Sequence, residues 1–141
     1  MKQTVMIFLL SMLFIKLSAP NFTALYIAAK EPINYYEKLI PAITWVESRD
    51  GLFTYDSRDH SVGWFHITPI LVQDYNQRIK GHYRLKDFYD YNLSKKVFLY
   101  YANGDNYEKV ARRWNGGGKG VHRKCTLNYW KMVKYRVFHS S

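Results

Sequence analysis

Leu39-Ile40-Pro41-Ala42-Ile43-Thr44-Trp45-Val46-Glu47-Ser48, followed by Arg49-Asp50-Gly51, is the stretch from which the rest of the chain is read. Tyr36, Leu39, Ile40, Ile43 and Val46 recur at helical spacing, and Pro41 suits a first helical turn, where its missing N–H leaves no intrahelical bond unmade. Gly51 supplies the stop. Glu47 follows Ile43 by four residues and Ile40 by seven, so helical geometry sets it on or beside the apolar stripe. A carboxyl in that position is partly stripped of water, which disfavours its charged form and raises its pKa. An acid still protonated near neutral pH is what protonation of a leaving oxygen requires. The plainer alternative is a Glu at the stripe edge with its head in water.

Outward from this helix, residues 51–66 hold Gly51, Asp56, Ser57, Asp59, His60, Ser61 and Gly63, and read as a loop or small hairpin. Thr68-Pro69 is a second cap-plus-first-turn signal, opening a helix from Ile70 to Ile79. Residues 80–91 are irregular and rich in Tyr. Asn92 or Ser94 caps a helix that carries Val97, Phe98 and Tyr101 and ends at Gly104. Asp105-x-x-Glu108 has the form of a capping box, and the helix it opens shows Tyr107, Val110, Ala111 and Trp114 on one face before Gly116-Gly117-Gly118 ends it. Leu127, Trp130, Val133 and Val137 mark a last helix. The expected fold is a mainly α globule of five or six short helices beside one small hairpin region.

The chain has 141 residues, 48% hydrophobic and 18% aromatic, with 21 Lys+Arg against 11 Asp+Glu and a formal net charge of +10. That length supports one core, and that apolar content excludes a disordered tail. One cysteine excludes an internal disulfide framework and a Cys-based zinc cage. Cys125 is read as buried or incidental. Met1-Lys2-Gln3-Thr4 followed by the apolar run Val5 to Ile15, closed by Lys16, has the layout of a secretory signal. Its cleavage is expected after about residue 19 to 29, with an uncleaved anchor helix as the alternative, and residues 30–141 form the mature domain. A basic exported domain favours polyanionic surfaces such as cell wall, anionic lipid or nucleic acid.

Four segments then fall in order. They are Trp45-Val46-Glu47-Ser48, Ser61-Val62-Gly63-Trp64-Phe65-His66-Ile67-Thr68-Pro69, Ala111-Arg112-Arg113-Trp114-Asn115-Gly116-Gly117 and Thr126-Leu127-Asn128-Tyr129-Trp130. Together they resemble the catalytic domain of the soluble lytic transglycosylases, peptidoglycan-cleaving enzymes related to goose-type lysozyme. That family shows a Glu-Ser pair ending a helix, a Gly-Leu-Met-Gln-Ile-like segment, an Ala-Tyr-Asn-x-Gly segment and a Tyr in the last helix. The resemblance implies a lysozyme-like fold with Glu47 as the catalytic acid/base and Ser48 beside it to hold the site. It implies a substrate cleft served by Ser61, Gly63, Trp64, His66, Ile67, Trp114, Asn115 and Gly116. Tyr129 corresponds to the Tyr whose hydroxyl reaches the catalytic carboxyl. His66 stands where the family has Gln, Trp64-Phe65 replaces Leu-Met, and Trp114 replaces Tyr. These departures touch subsite contacts and leave the acid in place.

Most glycosidases use two carboxylates. The family manages with one Glu, which protonates the oxygen between N-acetylmuramic acid and N-acetylglucosamine. The same Glu then deprotonates the muramic 6-hydroxyl, closing a 1,6-anhydro ring. Asp50, Asp56 or Asp59 is the alternative second carboxylate and would make a hydrolytic lysozyme; otherwise the three are solvated loop and cap residues. A non-catalytic peptidoglycan-binding module is the other alternative. Arg112-Arg113 and the Lys-rich segment from Lys119 to Arg136 raise a nucleic-acid reading, against which the export signal argues. No metal, no cofactor, no nucleic acid and no stable membrane insertion after signal cleavage are expected. The expectation is a monomer in the periplasm or cell envelope, acting on peptidoglycan glycan strands.

Overall fold

The computed structural model describes residues 35–139, and the expected signal segment lies outside them. Five α-helices and one hairpin follow in order: α1 Leu39–Ser48, β1 Tyr55–Asp56, β2 Ser61–Val62, α2 Pro69–Ile79, α3 Tyr91–Ala102, α4 Tyr107–Gly116 and α5 Thr126–His139. Short 3-10 turns at Leu85–Tyr89 and Gly120–His122 join α2 to α3 and α4 to α5. The fold is mainly helical with a small hairpin, as the sequence predicts. No described helix is long and apolar enough to cross a membrane.

The apolar stripe of α1 lies in the core. Leu39 and Ile43 are fully buried, and Tyr36 and Ile40 nearly so. α5 packs against both α1 and α4, which brings the last described helix back to the first described one. Phe65, Phe98 and Trp114 form the aromatic centre. Phe65 and Phe98 stack with ring centroids 5.3 Å apart, and Trp114 meets Phe98 edge-on at 5.1 Å. Trp45 lies on the outer side of α1 between two guanidinium groups, Arg49 at 3.6 Å and Arg136 of α5 at 3.3 Å from its ring centroid.

Three helix boundaries differ from expectation. α1 stops before Gly51, because Arg49 and Asp50 already adopt left-handed backbone, with φ of 53° and 55°. The Asp50 N–H donates to the Thr44 carbonyl, and its side chain accepts from the Thr44 hydroxyl at 2.8 Å. α3 is capped by Asp90, which accepts from the Leu93 N–H, and not by Asn92 or Ser94. The buried Ser94 hydroxyl donates to the Phe88 carbonyl instead. α4 is capped by Asn106, whose side chain accepts from the Lys109 N–H, and the expected Asp105 box does not form. Asp105 pairs with Arg113, and Glu108 pairs with Arg112 one turn along. By contrast, Thr68 caps α2 as read, accepting from the Leu71 N–H with Pro69 in the first turn. Cys125 is exposed, contrary to a buried reading.

Candidate active site

Glu47 occupies the last turn of α1, where the stripe meets the hairpin loop. Its side chain is 15% exposed. The Tyr129 hydroxyl, brought in by α5, donates to Oε1 at 2.5 Å. His66 Nδ1 lies 3.5 Å from Oε2. Burial pushes the Glu47 pKa up to about 7 against the lowering pull of the Tyr129 hydrogen bond and the His66 ring, while Asp59 and Asp56 push it further up. Burial also holds the Tyr129 hydroxyl far above its ordinary value, and the Glu47 carboxylate adds to that.

The loop that delivers His66 is tightly built. Val62 exchanges two backbone hydrogen bonds with Ile67, at 3.0 and 2.8 Å, so residues 63–66 form a small closed turn. Gly63 has φ of 76°, and a Cβ there would lie 2.0 Å from the Phe88 carbonyl oxygen, so only glycine fits. His66 itself holds φ of 46°. Four non-glycine residues in the left-handed region, Arg49, Asp50, His60 and His66, lie in the short span around Glu47. Strained backbone of this kind gathers where surrounding structure fixes a side chain for a purpose. Ser48 supplies part of that fixing. Its buried hydroxyl donates toward the Trp64 carbonyl at 2.9 Å and the Thr44 carbonyl at 3.1 Å, and accepts from the Gly51 N–H at 2.9 Å.

His66 also lines a groove of about 620 Å³, whereas Glu47 itself is not among the groove-lining residues and reaches it only through the His66 ring. His66, Thr68, Ile70, Trp114, Asn115, Gly117 and Gly118 are among the groove's lining residues. Asp74, Arg78, Tyr101 and Arg113 line it too, and Asp74, Arg78 and Arg113 carry its charge. Arg78 donates to Asp74 at 2.6 Å, and the Tyr101 hydroxyl donates to the same carboxylate oxygen. These bonds hold Asp74 below the usual carboxylate range. The Trp114 indole N–H donates to the Phe65 carbonyl at 3.3 Å, which fixes the ring as a groove wall.

The structure therefore divides the expected cleft residues. His66, Trp114 and Asn115 line the groove. Ser48, Ser61 and Ile67 are wholly buried and Tyr129 is nearly so; they support the site from within and do not face a ligand. The Ser61 hydroxyl has no hydrogen-bond partner among the described residues. Gly63 is a packing glycine under Phe88, and Gly116 abuts Thr126, where a Cβ would lie 2.6 Å from Cγ2. Trp64 covers Gly51 and meets Tyr91 edge-on at 5.1 Å, and it is not among the groove-lining residues.

Sequence reading missed Asp74, Arg78, Tyr101 and Arg113. The spacing of Asp74 and Arg78 announces a helix-surface pair, and nothing in it announces a groove. The three acidic residues weighed as a second carboxylate are all engaged locally. Asp50 accepts from Thr44, Asp56 from the Arg58 backbone and guanidinium, and Asp59 from the Ser61 N–H. The Arg58 contacts hold Asp56 far below the usual carboxylate range.

No family model, curated protein or solved structure matches the chain.

Proposed function

We propose that the protein is an exported peptidoglycan lytic transglycosylase in which Glu47 is the general acid and then the general base. The observation that carries the reading is a mostly covered carboxyl held at one oxygen by the Tyr129 hydroxyl and faced at the other by the groove-lining His66; burial pushes its pKa up to about 7. Glu47 in its protonated form gives its proton to the glycosidic oxygen between N-acetylmuramic acid and N-acetylglucosamine, and the C1–O bond breaks. The substrate's own acetamido group supports the cationic sugar carbon. The Glu47 carboxylate then takes the proton of the muramic 6-hydroxyl as that oxygen bonds to C1, which closes the 1,6-anhydro ring and reloads the acid. The cycle consumes no water and needs one carboxyl with a pKa near neutrality.

The local hydrogen bonds of Asp50, Asp56 and Asp59 support this single-carboxylate route over hydrolysis, because each candidate second carboxylate already caps a turn or pairs with Arg58. The Trp114 wall and the polar edge of Asn115 offer a flat apolar face and hydrogen-bonding groups of the kind sugar rings use. Mass spectrometry of peptidoglycan digested by the protein tests the reading. Products ending in 1,6-anhydromuramic acid are expected. Products with reducing ends would replace the transglycosylase with a lysozyme, and no products at all would overturn the enzymatic assignment.

A further inference from the structure

His66 stands between Glu47 and the groove, and its ring has a fixed polarity. Nε2 lies 2.9 Å from the Phe53 carbonyl oxygen. A carbonyl can only accept, so Nε2 carries the hydrogen and the uncharged ring presents a bare lone pair at Nδ1. Nδ1 is the atom 3.5 Å from Glu47 Oε2. On the far side of the carboxyl, the Tyr129 hydroxyl donates to Oε1. Oε1 is therefore the carbonyl oxygen of the protonated acid, and the proton belongs to Oε2, the oxygen that faces the imidazole.

We propose that His66 is the positioning partner of Glu47: with Nε2 committed to Phe53, its Nδ1 lone pair faces Oε2 and fixes how the carboxyl is turned against the ring that lines the groove. The geometry has one direction only. Tyr129 holds one oxygen of the carboxyl, Phe53 holds one nitrogen of the ring, and Oε2 and Nδ1 are the remaining pair, facing each other at 3.5 Å. The other titratable groups that act on the carboxyl are Asp56 and Asp59 from the hairpin, with Asp56 bound to Arg58. The left-handed backbone at His66 and the closed turn from Val62 to Ile67 aim the ring. A charged His66 would favour the Glu47 carboxylate, so the imidazole helps to set the pH at which the acid is loaded.

The catalytic use of this pair rests on the transglycosylase reading; the pair itself is measured without substrate. Carbon NMR of the Glu47 carboxyl and nitrogen NMR of the His66 ring are followed through a pH titration of the whole protein. His66→Gln and His66→Asn serve as the non-titrating variants, the second chosen because Asn tolerates left-handed backbone. The neutral ring is expected as the Nε2–H tautomer. In either folded variant the Glu47 midpoint is expected to move up by on the order of one pH unit, because the ring that favours the carboxylate is gone. A ring protonated on Nδ1 would overturn the proposal. So would a Glu47 midpoint that is the same in the wild type and in the folded variants. A protein that titrates as expected and cleaves no glycan keeps the positioning role of His66 and loses the enzymatic reading.

Discussion

The Tyr129 hydroxyl donates to Glu47 Oε1 across 2.5 Å, joining residues 82 positions apart in the chain. α5 thereby closes the inner side of a carboxyl that α1 buries. Two opposed effects meet there: burial favours the neutral acid, and the hydrogen bond favours the carboxylate. Burial is the larger, and the net result lies at about 7, where one group can both give and accept a proton.

Tyr129→Phe keeps the ring and removes only the donor. Loss of a bond to the charged form moves the Glu47 pKa further up, and with it the alkaline limb of the activity profile, by on the order of one pH unit. The pH dependence of kcat/KM checks this. An unmoved limb would mean that the bond does not tune the acid.

Glu47 also leaves a mark on stability. Its folded pKa, about 7, is above the ordinary 4.5. Below pH 4.5 both folded and unfolded chains hold the proton and the group's contribution is fully present. As pH rises from 4.5 through about 7, the unfolded chain ionises first and that contribution is lost. Glu47→Gln imitates the protonated acid, its amide oxygen accepting from Tyr129 and its amide nitrogen facing His66. The variant is expected to match the wild type near pH 4 and to exceed it near pH 8 by about 3 kcal/mol. Urea melts at the two pH values check the difference.

What the sequence discloses here is local and periodic. The α1 stripe, the Thr68-Pro69 start and the last helix are written in spacing and capping chemistry, and the place of Glu47 on that stripe follows from the same spacing. Caps were harder. Asp90 and Asn106 each sit one to four residues from an equally plausible cap, and the choice between them is made by packing, as when Ser94 turns inward to Phe88. The division of labour in the site was legible only in part. Ser48, Ser61, Ile67 and Tyr129 carry the right residue types, yet their burial depends on how the hairpin folds over α1. Arg78, Tyr101 and Asp74 come together from two helices, and no pattern along the chain marks that meeting.

Ser48→Ala removes a wholly buried hydroxyl that ties α1 to the Trp64 carbonyl and the Gly51 N–H. Leaving such groups unpaired costs about 1–3 kcal/mol. Lower activity is expected alongside, since the same tie holds the loop that bears His66. Denaturant midpoints and cleavage rates together check the pairing of the two losses.

Gly63→Ala places a methyl group 2.0 Å from the Phe88 carbonyl oxygen on a backbone with φ of 76°. Both sterics and backbone conformation oppose it, and a loss of more than about 3 kcal/mol is expected. Gly117→Ala is the comparison: its φ is also positive, at 70°, but an added methyl group meets nothing within 4 Å. Thermal melts of the two should differ widely.

Cleavage of purified peptidoglycan by Glu47→Gln is the most direct measurement of all. The side chain keeps its size and its bond to Tyr129 but has no proton to give. Turnover is expected to vanish while the fold and glycan binding persist. Cleavage at the wild-type rate would contradict the assignment of Glu47 as the acid.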